Sequence, residues 1–265
     1  MAAFKDNVVL LVGASRGIGE QTAYQLAGQG AKLTLAARSG DALKRVAQHC
    51  RKLGGEALVA AVDVTQQKAC RRLVLKTEAD FGRIDTLLYN AGGGSTQPFG
   101  TKSSLQNAYE EMRLNYFGLL YCTYYALPAL KKSGGRLVGV SSMGALLGLP
   151  STATYNSAKH AMRGFLNSLR VELRGTGVTV TSIYLSAVRT QAFLSQMGQA
   201  GARIPSISPE QAAQRIIRAA ASRRREIISS LEGKVAAKLY FLFPRLADRV
   251  LASMGSIYRK SDRQP

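Results

Sequence analysis

The feature that most constrains the fold is an alternation of short apolar runs with segments of helical periodicity. Apolar runs of this length, bounded by glycine and polar residues, are typical of strands buried on both faces. Strands separated by helices favour a parallel sheet with right-handed crossovers, which binds ligands at the carboxyl ends of its strands. We therefore predict an α/β fold with a doubly wound, seven-stranded parallel sheet and helices on both faces. The predicted strands are VVLLV (8–12), KLTLAA (32–37), EALVAAVDV (56–64), DTLLYNAG (85–92), RLVGVSS (136–142), VTVTSIYL (178–185) and EIISS (226–230).

The organisation of the chain predicts one domain and a distinct carboxyl-terminal segment. No linker, internal repeat or low-complexity stretch divides the chain before residue 230. We predict a single domain over residues 1–230, containing one long helix over 104–131, and a basic amphipathic helical extension over 231–265. A hydrophobic content of 46% is that of a globular protein with a sizeable core.

The cysteines and the amino-terminal sequence bear on the compartment. Cys50, Cys70 and Cys122 form no CxxC pair, so we expect free thiols rather than a disulfide or zinc framework. The first fifteen residues are too polar for a signal peptide, and no apolar run is long enough to span a bilayer. We expect a cytoplasmic protein. The net charge of +20 has two open interpretations, a solvated basic surface or attraction to anionic surfaces, including a membrane.

The glycine-rich segment GASRGIG (13–19) follows the first predicted strand and precedes a helical pattern. Glycines allow a backbone to approach a pyrophosphate, and a helix N-terminus offers N–H groups and a positive partial charge. We therefore predict a dinucleotide phosphate loop. Its predicted contact residues are Gly13, Ser15, Arg16, Gly17, Ile18 and Gly19.

The charges near this loop bear on the choice of cofactor. NAD enzymes often carry an acidic residue at the end of the second strand, whereas an arginine there accommodates the 2′-phosphate of NADP. Here Ala37 is followed by Arg38 and Ser39, with no carboxylate, and Arg16 lies within the phosphate loop. Two arginines and no acid favour NADP(H).

Tyr155 and Lys159 are separated by one helical turn and would lie on the same face of a helix. A nearby ammonium group favours the phenolate form and lowers a tyrosine pKa, which creates a potential acid/base catalyst. A single Tyr-x-x-x-Lys match is nevertheless a weak signal.

Several motifs in one order make the signal specific. From residue 6 to residue 230 the sequence resembles the short-chain dehydrogenase/reductase family, whose fold is Rossmann-like. The motifs are GASRGIG (13–19), DVT (63–65), NAG (90–92), RLNYFG (113–118) with Asn115, VSSMG with Ser142 thirteen residues before Tyr155, and YNSAK (155–159).

The resemblance implies a catalytic set of Asn115, Ser142, Tyr155 and Lys159. In this family, Tyr155 would exchange a proton with the substrate oxygen and Ser142 would orient the carbonyl. Lys159 would lower the phenol pKa and bind the nicotinamide ribose, and Asn115 would hold a water of the proton relay. The resemblance adds cofactor contacts at Asp63, Val64, Asn90, Ala91, Gly92, Tyr155, Lys159, Val188 and Thr190. It implies no metal.

The sequence departs from the family pattern after the sixth strand. The family commonly has Pro-Gly there, and this chain has Leu185 and Ser186. Because proline fixes φ and glycine permits close approach, the backbone beside the nicotinamide is expected to differ. Thr190 is retained as the predicted carboxamide contact, and residues 191–207 are predicted to form a lid or a loop packed on the domain.

The basic extension carries an apolar stripe at helical spacing, with Lys234, Lys238, Arg245 and Arg249 beside it. Pro244 is expected to kink this pattern or begin a second helix. The stripe has two open interpretations. It packs on the domain or a second subunit, or residues 233–260 lie on an anionic membrane surface. The apolar stripe comprises Val235, Leu239, Leu242, Leu246 and Val250.

Together these features predict an NADP(H)-dependent oxidoreductase that interconverts a ketone or aldehyde with an alcohol, on an apolar or bulky substrate. Two alternatives stay open, a cofactor-binding sensor or scaffold without turnover and a peripheral membrane protein with secondary catalysis. The family resemblance implies a homodimer or homotetramer through helices near 104–131 and 152–174. No nucleic-acid module is recognisable, so a nucleic-acid partner is not expected.

Overall fold

A computed structural model of the protein describes residues 3–201 and 204–259. Within these residues, a seven-stranded sheet has the order β3-β2-β1-β4-β5-β6-β7, and every neighbouring pair is parallel. The predicted fold class is confirmed. The strands are β1 Val8–Val12, β2 Lys32–Ala37, β3 Glu56–Ala61, β4 Thr86–Tyr89, β5 Arg136–Ser142, β6 Thr179–Leu185 and β7 Glu226–Ile228.

Helices cover both faces of the sheet. On one face, α1, α2 and α8 pack over a core that includes Leu26, Val46 and Ile216. On the other face, α3, α5 and α6 pack over a core that includes Leu73 and Leu166. The helices are α1 Gly17–Ala27, α2 Gly40–Lys52, α3 Gln67–Phe81, α4 Ser104–Glu111, α5 Gly118–Ser133, α6 Ala153–Glu172, α7 Gln191–Gly201, α8 Pro209–Ser222, α9 Leu231–Leu242 and α10 Pro244–Arg259.

The sheet order reverses between β1 and β4. The chain runs outward from β1 to β3 and returns on the other side of β1 at β4. This reversal opens a crevice at the carboxyl ends of β1 and β4, the usual ligand position in such sheets. The main-chain N–H of Asn90 donates to the Val12 carbonyl across this point (2.9 Å).

Four predicted strands are longer than the strands observed, and β6 differs only in that it begins at Thr179 rather than 178. β3 ends at Ala61 rather than 64, because the Asp63 carboxyl accepts the N–H of Thr65 (3.0 Å) in a turn. β4 covers Thr86–Tyr89 rather than 85–92, since a glycine-containing loop follows. β7 ends before Ser230, whose hydroxyl caps α9 by accepting the N–H of Gly233 (3.0 Å).

The long helix predicted over 104–131 is interrupted. Residues Met112–Phe117 form a π-helical segment between α4 and α5. The Tyr89 hydroxyl donates to the Leu114 carbonyl in this segment (2.5 Å). Segments of this kind often occur at functional sites, and this one carries Asn115.

The extension forms two helices, and Pro244 begins the second, which was one of the two outcomes expected for it. A third apolar cluster joins α9 to the segment after β5, through Met143, Leu147 and Tyr240. All three cysteines are free and buried, which confirms the thiol prediction. None of the helices within the described residues is both long and apolar enough to cross a membrane.

Candidate active site

The phosphate loop is a tight turn that only glycine accommodates at two positions. Gly13 has φ +87°, and a Cβ there would lie 2.6 Å from the nitrogen of Ala91. A Cβ on Gly19 would overlap the carbonyl oxygen of Gly13. The Asn90 side chain donates to that carbonyl (2.9 Å). The two predicted cofactor segments, 13–19 and 90–92, are therefore in direct contact.

The N-terminus of α1 points out of this loop. Arg16 occupies the N-cap position in an extended conformation, and no side chain caps the helix. The first N–H groups of α1 are therefore free to bind an anion, assisted by the helix dipole. Ser15 and Ile18 flank this turn, and both are half-buried.

The two predicted 2′-phosphate arginines lie at neighbouring strand ends. The Gly13 N–H donates to the Ala36 carbonyl (2.7 Å), which joins the phosphate loop to the end of β2 just before Arg38. Both Arg16 and Arg38 are exposed, and neither forms an ion pair within the described residues. Their guanidinium groups are unneutralised cations beside the phosphate loop. Ser39 caps α2 by accepting the N–H of Ala42 (3.4 Å).

Asp63 and Val64 follow the carboxyl end of β3. The Asp63 carboxyl orders the turn through Thr65, and Val64 is 5% exposed. The Val64 carbonyl accepts the thiol of Cys70 (3.3 Å). The predicted adenine contacts are thus held on a turn at the same sheet edge as the phosphate loop.

Asn115 ties the π-helical segment to the loop after β4. Its side chain accepts the N–H of Gly93 (3.2 Å) and donates to the carbonyls of Gly93 (2.8 Å) and Glu111 (2.9 Å). Both amide hydrogens are therefore used within the protein. A Cβ on Gly92 would lie 2.7 Å from the Asn115 amide oxygen and 3.0 Å from the Lys159 ammonium nitrogen, so these groups converge.

Ser142, Tyr155 and Lys159 meet at the carboxyl end of β5. Lys159 is 4% exposed, and its Nζ donates to the Val140 carbonyl (3.4 Å). The same Nζ lies 5.7 Å from the centre of the half-buried Tyr155 ring. Ser142, at the last position of β5, accepts the N–H of Gly144 (3.2 Å), and a Cβ on Gly144 would lie 3.5 Å from the Tyr155 ring.

Burial dominates the electrostatics of this group. Burial raises the pKa of Tyr155 to about 12, partly offset by the hydrogen bond from Ser142 and increased by the negative charge of Glu111. Burial also lowers the pKa of Lys159 to about 8. The sequence predicted that Lys159 lowers the tyrosine pKa. In the structure the pKa of Tyr155 moves the other way, because burial disfavours the charged phenolate.

Thr190 packs against the phosphate loop. Its methyl carbon lies 3.3 Å from the position of a Cβ on Gly17, and its hydroxyl accepts the N–H of Phe193 (3.1 Å) at the start of α7. Val188 pairs with Ile207 in a short parallel bridge. Both predicted contacts thus lie where the chain returns from β6 towards the crevice.

Leu185 is the last residue of β6, which pairs with β5, and Ser186 follows it. Leu185 pairs with Ser142 in the sheet register, and the Ser186 N–H donates to the Ser229 hydroxyl (3.1 Å). The departure from Pro-Gly therefore yields regular strand pairing at this point. The predicted lid begins with α7, in which Met197 is buried, and residues 202–203 lie outside the described residues.

Two site residues were missed by sequence reasoning. Glu111 is 6% exposed and accepts the N–H of Ser95, next to Gly94 and Tyr155, and Gln196 of α7 donates to the Gly94 carbonyl. The only signal for Glu111 was its position four residues before Asn115. Nothing in the sequence marked Gln196. Among the described residues, no cluster of His, Cys, Asp and Glu could hold a metal ion.

Several known proteins are similar to this chain in sequence or in fold. The family model described as short chain dehydrogenase matches residues 7–199. The chain is 41% identical over 167 residues to 11-beta-hydroxysteroid dehydrogenase-like 2 of Arabidopsis thaliana, covering 63% of this chain and 54% of that relative. It is 34% identical over 227 residues to 11-beta-hydroxysteroid dehydrogenase A of Sesamum indicum, covering 80% and 65%. The matches thus span less than two thirds of these relatives' lengths.

A solved structure agrees with the fold. A short chain dehydrogenase from Burkholderia cenocepacia J2315, crystallised in complex with NADP, superposes with a TM-score of 0.82 at 25% identity. The superposition covers 95% of this chain and 99% of the other. With the family model matching most of the chain, this protein belongs to the short-chain dehydrogenase family.

Proposed function

We propose that the protein is an NADP(H)-dependent oxidoreductase that interconverts a ketone or aldehyde with an alcohol. The observation that carries this proposal is the convergence of Ser142, Tyr155 and Lys159 in the crevice beside the phosphate loop. NADPH, when bound, supplies the hydride to the carbonyl carbon. The Tyr155 phenol, which is protonated at neutral pH, donates a proton to the carbonyl oxygen.

The other residues prepare this proton transfer. The Ser142 hydroxyl donates to the carbonyl oxygen and holds it facing the phenol. Lys159, with a pKa of about 8, exchanges protons near neutral pH and can restore the proton of Tyr155. Asn115 fixes the loop through Gly93, which keeps Lys159 and Tyr155 in place.

The proposed preference for NADP(H) rests on Arg16 and Arg38. Arg16 in the phosphate loop and Arg38 just after β2 are both exposed, and neither forms an ion pair in the described part of the chain. An arginine fork binds a phosphate bidentately and discriminates against the uncharged ribose hydroxyl of NAD. The NADP in the Burkholderia structure supports the same choice.

The proposed substrate is an apolar or bulky carbonyl compound or its alcohol. Leu147, five residues after Ser142, lines an apolar cavity of about 180 Å³ together with residues of α9 and α10, including Tyr240 and Leu246. The extension thus contacts the segment that leaves the catalytic strand. The plant relatives named as hydroxysteroid dehydrogenases support a polycyclic apolar substrate.

The test is NADPH oxidation across ketones, aldehydes, steroids and quinones, with two matched variants. Tyr155→Phe removes the proton donor, whereas Tyr124→Phe makes the same change at a tyrosine that is 69% exposed on α5. We expect Tyr155→Phe to lower kcat/KM by about 10²–10⁴-fold and Tyr124→Phe to leave it unchanged. Tight NADPH binding with no turnover on any substrate would instead support the sensor alternative.

Membrane-surface binding by the extension is a second proposal, carried by the exposure of its apolar stripe. Phe241 is 85% exposed and Leu242 63% exposed, while the inward-facing residues of α9 are Ala236, Ala237 and Tyr240. The five stripe residues stay 47–63% exposed, although Leu239, Leu246 and Val250 also line the cavity beside Leu147 of the domain. Exposed apolar groups beside lysines and arginines suit the interface of an anionic bilayer. Lys260, the last residue of the predicted segment, lies outside the described residues.

Sedimentation with phosphatidylserine vesicles tests this second proposal with the full chain. Phe241→Asp should lower the vesicle partition constant about tenfold, because the favourable transfer of the aromatic side chain into the bilayer interface is lost. Leu75→Asp, at a position 51% exposed on α3, is the control and should bind normally. Equal binding of both variants would refute the role of the extension.

Self-association is proposed through α4 and α5. Their outer faces expose Leu105, Tyr109 and Tyr124, each at least 69%. Apolar groups in this density are typical of interfaces. Light scattering should give a dimer or tetramer mass, and Leu105→Asp should give a monomer; an unchanged mass would exclude this face.

A further inference from the structure

The two edge strands of the sheet are protected from further pairing to different extents. β7 is three residues long and directly follows three consecutive arginines, Arg223–Arg225. β3 is six residues long, and its segment from Ala57 to Ala61 contains no charged residue and no proline. Short length, charge and proline are the features by which natural sheets keep an edge from pairing with another chain. β3 is therefore the open edge, and no strand in the described ranges pairs with its outer side.

The hydrogen bonds of β3 show which of its backbone groups point away from the sheet. The N–H of Val62, just after β3, donates to the Ala37 carbonyl of β2 (2.8 Å). Because backbone direction alternates along a strand, the odd-numbered residues of β3 direct their N–H and C=O groups outwards. The Arg51 side chain donates to the outward carbonyl of Ala57 (2.5 Å). No side chain in the described part of the molecule binds the backbone of Val59, the next outward residue, so its groups are open to a ligand.

A groove of about 620 Å³ lies along this open edge, between β3 and α3. Its apolar lining includes Val59 and Ala61 of the strand and Leu73 of the helix. α3 also contributes three cations at intervals of four residues, a spacing that places them on one face of the helix. Unpaired backbone thus lies beside a row of positive charges. These cations are Lys68, Arg72 and Lys76.

Positive charge predominates in this groove. Lys68 and Arg72 are exposed, and neither forms an ion pair with a residue that the structure describes. Lys76 pairs with Asp80 (2.8 Å). The acid in the lining is Asp63, whose carboxyl accepts a backbone N–H in the turn after β3. The groove therefore complements a ligand that carries negative charge.

The spacing of the cations fits an extended chain. Four residues of helix rise about 6 Å, and two residues of strand rise about 6.6 Å. Acidic side chains at every second position of an added strand would therefore meet successive cations of α3. We propose that β3 and α3 bind an acidic, extended segment of a partner protein, which adds to the sheet beside β3. Backbone hydrogen bonds to Val59 supply the pairing, and Lys68 and Arg72 select the acids.

Three short fluorescent peptides test this proposal by anisotropy with the full chain. The first alternates glutamate with threonine, the second has the same composition with all glutamates in one block, and the third is the alternating peptide with N-methylated amides. We expect the first to bind at least about tenfold more tightly than the others, because only it offers both alternate acids and backbone donors. Equal affinity of the block peptide or the N-methylated peptide would overturn the proposal, since attraction between charges would then account for binding.

A matched pair of charge reversals tests the groove from the protein side. Arg72→Glu changes a residue of the lining, whereas Arg71→Glu makes the same change at the neighbouring exposed residue outside the lining. We expect Arg72→Glu to weaken binding of the alternating peptide about fivefold and Arg71→Glu to weaken it less than about twofold. Equal losses in the two variants would mean that the peptide responds to net charge alone, which would overturn the proposed site.

Val59→Pro tests the addition of a strand. The variant loses one outward N–H and keeps the hydrogen bonds from β3 to β2, and edge strands accept proline at such positions. We expect about tenfold weaker peptide binding, and unchanged binding would overturn the proposal. A molecular mass without peptide that falls in Val59→Pro would assign the edge to a second copy of the chain and would also overturn it. If Val59→Pro does not fold, the N-methylated peptide makes the same test from the ligand side.

Discussion

The cofactor crevice and the proposed substrate side of this molecule are built differently. At the crevice, Val12, Ala14 and Tyr89 are fully buried and the phosphate loop has no room for a Cβ at Gly13. On the substrate side, the extension leaves Phe241 and Leu242 mostly exposed. Strand ends fixed by the sheet form the first region, and helices attached beyond the sheet form the second. Substitutions at the crevice should therefore weaken cofactor binding strongly. Substitutions on the proposed substrate side should affect it little.

Two glycines with positive φ give the largest expected contrast. A Cβ on Gly13 (φ +87°) would meet the backbone of Ala91, whereas a Cβ on Gly198 (φ +51°) in α7 would have no neighbour within 4 Å among the described residues. Gly13→Ala must displace backbone, so we expect NADPH binding to weaken more than about 100-fold, equivalent to about 3 kcal/mol. Gly198→Ala meets only local strain and should cost about 1 kcal/mol of folding free energy. Calorimetric titration measures the NADPH affinity of the two variants, and thermal unfolding measures their stability. Equal losses of NADPH affinity in the two variants would contradict the difference between the two regions.

A charge reversal at the edge of the cofactor crevice tests the proposed 2′-phosphate site. Arg38→Asp places a negative charge where the 2′-phosphate is proposed to bind. We expect the ratio of NADPH to NADH affinity to fall by about 10–100-fold, since charge-assisted hydrogen bonds are lost and repulsion is added. Arg45→Asp, an exposed change on α2, is the matched control. A ratio that stays the same in Arg38→Asp would mean that Arg38 does not read the phosphate.

The cofactor side was largely predictable from sequence. The bounds of β1, β2 and β5 are those that the apolar runs indicated, because strands buried on both faces leave an uninterrupted apolar signal. The phosphate loop and the Ser142, Tyr155 and Lys159 group converge as predicted, although their roles stay predictions. β3 was predicted too long, because a side-chain turn at Asp63 leaves no mark in hydropathy.

The substrate side was less predictable for a physical reason. An amphipathic pattern shows which face of a helix is apolar but not what that face contacts. In α9 the small residues Ala236 and Ala237 face the core, while the larger apolar stripe stays exposed. Glu111 was missed because its burial depends on the tertiary contact with Ser95, and adjacent acids on a helix usually indicate a solvated face. The predicted direction of the Tyr155 pKa shift was wrong. The spacing of residues in the sequence indicates a charged neighbour but not the loss of solvation on burial.

The smallest expected effect concerns pH and stability at Lys159. Its pKa falls from the usual value of about 10.4 to about 8 on folding, so the unfolded chain binds more protons between these values. The destabilising effect of the buried charge is complete below pH 8 and is relieved as pH rises towards 10. We expect the unfolding free energy of wild type, relative to Lys159→Met, to rise by about 1–2 kcal/mol between pH 7.5 and 9.5. Urea unfolding at both pH values measures this difference; a constant difference would contradict the lowered pKa.

Transfer of label from deuterated cofactor tests the central claim most directly. NADPH carrying deuterium at the transferred position is incubated with a ketone that the wild-type protein reduces, and the alcohol is analysed by mass spectrometry. Wild type and Tyr124→Phe should give alcohol with one deuterium at the carbinol carbon. Tyr155→Phe should still bind NADPH but give about 10²–10⁴-fold less labelled product at saturating cofactor. Labelled alcohol formed by Tyr155→Phe at the wild-type rate would contradict the assignment of Tyr155 as the proton donor.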